Sequence, residues 1–490
     1  MMFNGSHHIV GASLEDAQGG QYMDVIRSRY YDPAPVRVVV DSFDSTSGAV
    51  SATVTMYSTT DALTGPDDQF RLILIEDGIT GENTHVTRAV ISTPITLSGA
   101  GNAAPFSETF TIDPAWDPDQ LRVVAIVQRQ DKRIVQTGSS YDQPGFSVRA
   151  MVPFERTKIG PSTVTFETPD LTLINVGRTE TFTIGLVVDE APPGWTAGFS
   201  DGTGNPHTDL WSFGLTEQAS TTFKVSVTPG SAGYMRYHLE VTSPNLVKNL
   251  EIPFVFITDD VDVLLVNDDG GNDYGGYFTT ALEDIGLTYG VWNLSSTKLN
   301  DDVASAIDLL VWNIGLGYPS LDAVDRAFVE RHLDAGKSLF ITGQDIGWDL
   351  NDSQSGNTDV AFYESYLHAE YISDDVNMYD VEGVPGDPVS DGVTLHIRGG
   401  DGANNQDYPS RIAPVDSDAV EIFSYTGEEW GAAVRSIDSA SDARVVYLAF
   451  GFEAIDNAED RATLLRKAVN WLSLRYRRED WEQEQLIFAE

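Results

Sequence analysis

The feature that most constrains this 490-residue chain is a change of texture near residue 260. Up to residue 259, short runs rich in β-branched residues alternate apolar and polar positions and are broken by clusters of Gly, Pro, Asn and Asp. From Val261 onward, unbroken apolar runs alternate with longer segments of three-to-four spacing. The first pattern specifies antiparallel sheets buried on one face; the second specifies a parallel sheet covered by helices on both faces. One core cannot satisfy both, and the length independently argues for about three domains. The expected fold class is therefore multidomain, mixed β and α/β. It comprises two antiparallel β-sandwiches followed by a flavodoxin-like α/β domain with a mostly parallel sheet.

Punctuation along the chain sets the boundaries. Residues 1–32 carry a short hairpin signal around Asn4-Gly5 and then a helical pattern, too little to build a core. Asp32-Pro33-Ala34-Pro35 reads as a linker, because Pro disfavours helix in the residue before it. Residues 33–150 read as one β-sandwich and 151–259 as a second, immunoglobulin-like one. The α/β domain is expected over 260–475, with a charged tail over 476–490.

Composition removes several classes of function. Acidic residues number 74 against 30 basic ones, a formal net charge of −44. Nucleic-acid binding depends on Lys and Arg neutralising phosphates, so nucleic acid is excluded as a partner. No stretch reaches the roughly 18 apolar residues of a membrane helix, so no membrane insertion is expected. Zero Cys excludes disulfides, thiolate catalysis and Cys-ligated metal centres. The dispersed acid serves solubility or, where carboxylates cluster, a hard cation such as Ca²⁺. Oligomeric state is not legible.

In an open parallel sheet, ligands bind at the carboxyl ends of the strands. That rule collects Asp268, Asp269 and Asp273 after the run VDVLLV, Asp345 and Asp349 after SLFITG, and Glu453 after VVYLAFGF. The turn NDDGGND offers closely spaced oxygens on a Gly-rich loop. It admits two readings: a Ca²⁺ site built from Asp268, Asp269 and Asp273, or a strand-to-helix turn whose Asp and Asn cap the next helix. Aromatics are dense between residues 348 and 430, where loops above the sheet are expected. Trp348, Tyr363 and Trp430, with Asp349, form a candidate surface for a glycan or a protein ligand.

Two resemblances sharpen these expectations. FNGSHHIVGA, LILIEDGI and FTIDPAWDPDQLRVVAIVQ resemble the outer-membrane-protein-28-related family of secreted and envelope proteins over roughly residues 1–140. This implies an extracellular or cell-envelope location. It also implies that residues 1–32 are the closing hairpin and helix of a thioredoxin-like domain whose redox half lies outside this chain. Residues 261–472 resemble the class I glutamine amidotransferase-like superfamily. Its elbow, Gly-x-Cys-x-Gly, corresponds to Gly343-Gln344-Asp345-Ile346-Gly347, with Asp345 in the nucleophile's place. Its late Phe-His-Pro-Glu corresponds to Phe450-Gly451-Phe452-Glu453, with Gly451 in place of the His. Glutaminase chemistry needs a nucleophile with a base at hydrogen-bond distance, and both are missing. The leading expectation is a non-catalytic binding or structural protein; the alternative is a hydrolase, glycosidic or other, using Asp345 and Glu453 as a carboxylate pair.

Overall fold

A computed structural model describes residues 35–473, except 57–61, 79–84, 141–145, 209, 218, 247 and 296, together with the backbone of residues 2–3 and 7–8. Met2–Phe3 and His7–His8 pair antiparallel. The expected helix and linker over residues 9–34 and the charged tail over 476–490 lie outside the described residues.

The first sandwich follows from strict alternation. Ala49–Met56 and Gln69–Asp77 each bury every second residue, the period-two signature of a strand with one wet face. Val36–Phe43, Ala49–Met56 and Ala103–Thr109 form one sheet; Ile134–Ser139, Leu121–Gln128, Gln69–Asp77 and His85–Pro94 form the other. Val38, Val54, Leu72 and Val123 meet between them in one core. The second sandwich stacks Leu171–Asn175, Ser220–Thr228 and Thr196–Asp201 against Glu180–Glu190, Tyr234–Thr242 and Leu250–Thr258. Its core is aromatic, with Phe182, Phe199, Phe223 and Phe256 at its centre. One departure from simple antiparallel pairing is Thr157–Gly160, which runs parallel to Leu250–Thr258.

The C-terminal region is a single eleven-stranded sheet. Its strands are β1 (Val263–Asn267), β2 (Tyr289–Asn293), β3 (Leu309–Gly315), β4 (Ser338–Gly343), β5 (Ala369–Ser373), β6 (Asp380–Gly383), β7 (Thr394–His396), β8 (Arg411–Pro414), β9 (Ala419–Tyr425), β10 (Gly431–Ile437) and β11 (Arg444–Leu448). Strands β2, β1, β3, β4 and β11 lie side by side and parallel. Beyond β11 the sheet turns antiparallel through β10, β9, β6 and β7. A flap of β5 on β8 joins β10. This antiparallel half corrects the sequence reading, which took residues 348–430 as loops. Strands β5 to β8 are short, and β9 interrupts its apolar residues with Glu421 and Ser424, so no long apolar run announces them.

Helices α1 (Gly275–Asp284) and α6 (Ala458–Leu472) cover one face, packing Phe278, Leu282, Leu464 and Val469 on Val263, Leu265, Val311 and Phe340. Helices α2 (Asp301–Ala306), α3 (Ala323–Asp334), α4 (Ile346–Asn351) and α5 (Val360–Tyr366) cover the other, over Leu264, Trp312, Leu339 and Ile341. Helix α3 is capped by Asp322, which forms a reciprocal capping box with Asp325. The sandwich core and the α/β core are continuous, since Tyr234 and Ile257 pack with Trp292 and Leu310.

Candidate functional site

Because side chains alternate along a strand, each strand end distributes its polar residues to two faces. On the α1/α6 face, Asn267, Asn313 and Thr342 stand in register across β1, β3 and β4, one layer above the apolar row of Leu265, Val311 and Phe340. Asn313 Nδ2 donates to Asn267 Oδ1 at 3.0 Å. Thr342 Oγ1 donates to the Phe450 carbonyl at 2.6 Å and accepts from Phe452 N at 2.8 Å. That pair of bonds fixes the turn Phe452–Ala454, and with it Glu453, over the strand ends. Glu453 is 1% exposed, and its Oε1 accepts from Asn405 Nδ2 at 2.7 Å. Burial, offset in part by the Asn405 bond and reinforced by Asp269, raises its carboxyl to about 7.

The elbow occupies the opposite face. Gly343 packs against Ile314, and Gly347 lies against the Tyr371 and Tyr363 rings, where a Cβ would collide. Between them, Asp345 holds φ −104° and ψ 9° at the start of α4 and makes no capping bond. This is the bridge region, which any L-residue can adopt without the left-handed twist of a nucleophile elbow. Burial first, then the charges of Asp374, Asp349 and Asp407, lift the Asp345 carboxyl to about 7. Asp374 is raised as well, chiefly by burial, although it accepts from Ser410 Oγ at 3.2 Å.

Between the two carboxylates runs an amide network. Gln344 Oε1 accepts from Gln406 Nε2 at 3.1 Å and from the backbone N–H of Asp407 and Tyr408 at 2.8 and 3.2 Å. Gln406 Oε1 in turn accepts from Gly451 N at 2.7 Å. Sequence reasoning passed over Gln344, Gln406 and Asn405, whose only signal is an Asn/Gln-rich loop, NNQ, with no spacing rule attached. Asp345 feels the charges of Asp374, Asp349 and Asp407, and Glu453 feels that of Asp269.

The remaining candidate residues are placed as follows. Asp268, Asp269 and Asp273 do not converge, which corrects the Ca²⁺ expectation for this turn. Asp268 points to the α3 face, accepting from Trp312 Nε1 at 3.3 Å, and burial and the nearby Asp325 raise its carboxyl. Asp269 turns to the α1 face, where its two oxygens accept from Gly271 N at 3.1 Å and Tyr274 N at 2.7 Å. Asp273 is exposed, with φ +60°. Among the described residues, no group of three or more His, Asp or Glu side chains is arranged to hold a metal ion.

Asp349 is 0% exposed, and its Oδ2 accepts from Ser320 N, Ser320 Oγ and Asn357 Nδ2, each at 2.8 Å. Through that oxygen it staples two loops, while its Oδ1 is buried with no hydrogen-bond partner. Tyr363 is likewise a core residue, with its hydroxyl 3.3 Å from that of Tyr447 and its ring edge-on to it. Trp348 remains partly exposed beside Tyr318, ring centroids 6.2 Å apart. Trp430 stands apart on the antiparallel half. There it lines an open cleft of about 530 Å³ with Glu382, Arg411, Glu428 and Glu429, the Arg411 guanidinium 5.2 Å from its ring.

Comparison with known proteins adds little to this geometry. No family model matches the chain, and no curated protein matches it. Solved structures align over parts of the chain only. The ASH/PapD-like domain of human CEP192 is 14% identical, covers 24% of this chain and 87% of its own, with a TM-score of 0.16. A conjugative transposon lipoprotein from Bacteroides eggerthii is 14% identical, covering 23% of this chain and 98% of its own, with a TM-score of 0.17. Salmonella alpha-2-macroglobulin is 13% identical and covers 46% of this chain and 16% of its own, with a TM-score of 0.18.

Proposed function

We propose that the C-terminal domain is a non-catalytic binding module of amidotransferase-like architecture, carried on two β-sandwiches in a secreted or cell-envelope protein related to the outer-membrane-protein-28 family. The parallel order β2-β1-β3-β4-β11 and the strand–turn–helix over residues 343–347 support the architecture. Asp345 and Gly451 standing where that superfamily carries Cys and His support the loss of its chemistry.

One observation carries the binding reading. The Asp345 carboxylate takes part in no capping bond at the ligand edge of a parallel sheet, while Asp349, one helical turn on, uses its Oδ2 to hold two loops. Asp374 and Asp407 add charge around it, and Tyr371, Tyr408 and Trp348 supply aromatic faces. Carboxylates beside aromatic rings suit the hydroxyls and ring faces of a glycan, or a basic segment of a protein ligand. The pair chemistry of a hydrolase draws no support, because the charges that raise Asp345 come from Asp374, Asp349 and Asp407 and the one that raises Glu453 comes from Asp269.

A glycan and peptide panel tests this by calorimetry and by turnover. Asp345→Asn and Asp374→Asn should each weaken the best ligand about tenfold, which is about 1.4 kcal/mol. Measurable turnover that Asp345→Asn abolishes would replace the binding reading with the hydrolytic one.

A further inference from the structure

The polar row at the ends of β1, β3 and β4 contains more acceptors than its neighbours can satisfy. Glu453 Oε2, Asn405 Oδ1 and Asn313 Oδ1 are buried and have no hydrogen-bond partner. All three residues are more than nine-tenths buried: Glu453 at 1%, Asn405 at 8% and Asn313 at 0% exposed. They are neighbours, because the Phe452–Ala454 turn contacts both the start of α1 and the end of β3, and Asn405 is bonded directly to Glu453. Asp269 lies close enough for its charge to act on Glu453, and the Tyr274 hydroxyl reaches Asn405. Neither carboxylate has a Lys or Arg partner among the described residues.

Buried charges in proteins are paired or coordinate ions, and buried acceptors are satisfied. Here two buried carboxyls and two buried amide oxygens share one layer, and neither carboxyl is paired with a cationic side chain among the described residues. Three carboxylates or more, as a Ca²⁺ site normally collects, are not present among the described residues. With Glu453 and Asn405 both enclosed, a cationic head carrying a bulky tail has no way in. We propose that the Glu453–Asn405–Asn313 layer, with Asp269, is an internal binding site for a small monovalent cation of ammonium or potassium size. The ion ties the Phe452–Ala454 turn to the strand ends. The site is distinct from the Asp345 edge and stands whether or not that edge binds a ligand.

Calorimetric melting of the full chain tests this at about pH 8, above the value of about 7 to which the Glu453 carboxyl is raised. Ionic strength is held constant with tetramethylammonium chloride, replaced stepwise by ammonium, potassium, sodium or calcium chloride. A ligand that binds only the native state raises its melting temperature saturably. Ammonium or potassium should shift the transition of the C-terminal domain by several degrees, and the preferred one of the two identifies the source. Asp345→Asn should leave the shift intact. Glu453→Gln should abolish it while melting no lower than wild type in tetramethylammonium, since it removes a buried charge without removing volume. Crystals soaked in rubidium chloride should show an anomalous peak in contact with Glu453 Oε2 and Asn405 Oδ1. Equal shifts from every salt, an adventitious ion only, would overturn the proposal. So would a preference for calcium, a shift that survives Glu453→Gln, or no rubidium peak at this layer.

Discussion

Asp345 and Asp349 sit one turn apart on α4, and composition alone gives them the same role. Their surroundings separate them. Asp349 Oδ2 satisfies two donors of Ser320 and one of Asn357, groups that reach it from 29 and 8 residues away in the chain. Asp345 satisfies no helix donor, and burial and neighbouring carboxylates raise its carboxyl to about 7. Asp349→Ala leaves a buried backbone N–H and a hydroxyl without acceptors, so it should cost about 2–4 kcal/mol. Asp345→Ala should change stability by less than about 1 kcal/mol, because it strands no buried donor. Denaturant unfolding of the two variants, followed through Trp312 and Trp348 fluorescence, checks the contrast. The strand end and elbow were legible in SLFITGQDIGW. Which acid was a staple was not, because the deciding partners arrive from distant loops that carry no local signal.

At the scale of elements, the parallel half was readable and the antiparallel half was not. SLFITG is β4 residue for residue, and the change to unbroken apolar runs at Val261 falls two residues before β1. Apolar periodicity is strong in these elements because both faces of the strands are buried. Strands β5 to β9 bury one face or only part of one, and their hydrophobic signal is diluted accordingly. The approach of α1 to β1 was equally invisible. It depends on Gly275, where a Cβ would stand 2.4 Å from Asn267 Nδ2, whereas Gly276 faces open space. Gly275→Ala should push the helix off the polar row at a cost of about 1–3 kcal/mol. Gly276→Ala should stabilise by up to about 0.5–1 kcal/mol through helix propensity. Thermal melts of the two variants should therefore move in opposite directions. If both fall together, the close approach of α1 is not what Gly275 provides.

For the whole molecule, the acidic composition that excluded nucleic acid also fixes how stability varies with pH. Two contributions act in the same direction and must be separated. The net charge of −44 at neutrality repels itself more strongly as carboxylates ionise, and salt screens that repulsion, with a Debye length of about 3 Å at 1 M. The second contribution is local. Asp345 and Glu453 titrate near 7 in the folded chain, against 3.8 and 4.5 as ordinary carboxyls. Between those values the native state holds protons that the unfolded chain has released, so stability falls as pH rises from about 4 to about 7 and then levels. His332 opposes them. The fold buries it against the Ser338 carbonyl, and burial lowers it from 6.5 to about 4. It therefore adds stability as pH rises through that interval. Two carboxyls against one imidazole leave a net fall on the order of 2 kcal/mol, after discounting the partly exposed Asp345 for screening. In about 1 M tetramethylammonium chloride, where long-range repulsion is screened, that fall should persist. In the double variant Asp345→Asn/Glu453→Gln the fall should become shallower without disappearing, because the raised carboxyls of Asp268, Asp325 and Asp374 remain to oppose His332. Urea midpoints across this range distinguish the cases. A slope that vanishes in salt for the wild type would assign the whole effect to net charge and none to the two carboxyls.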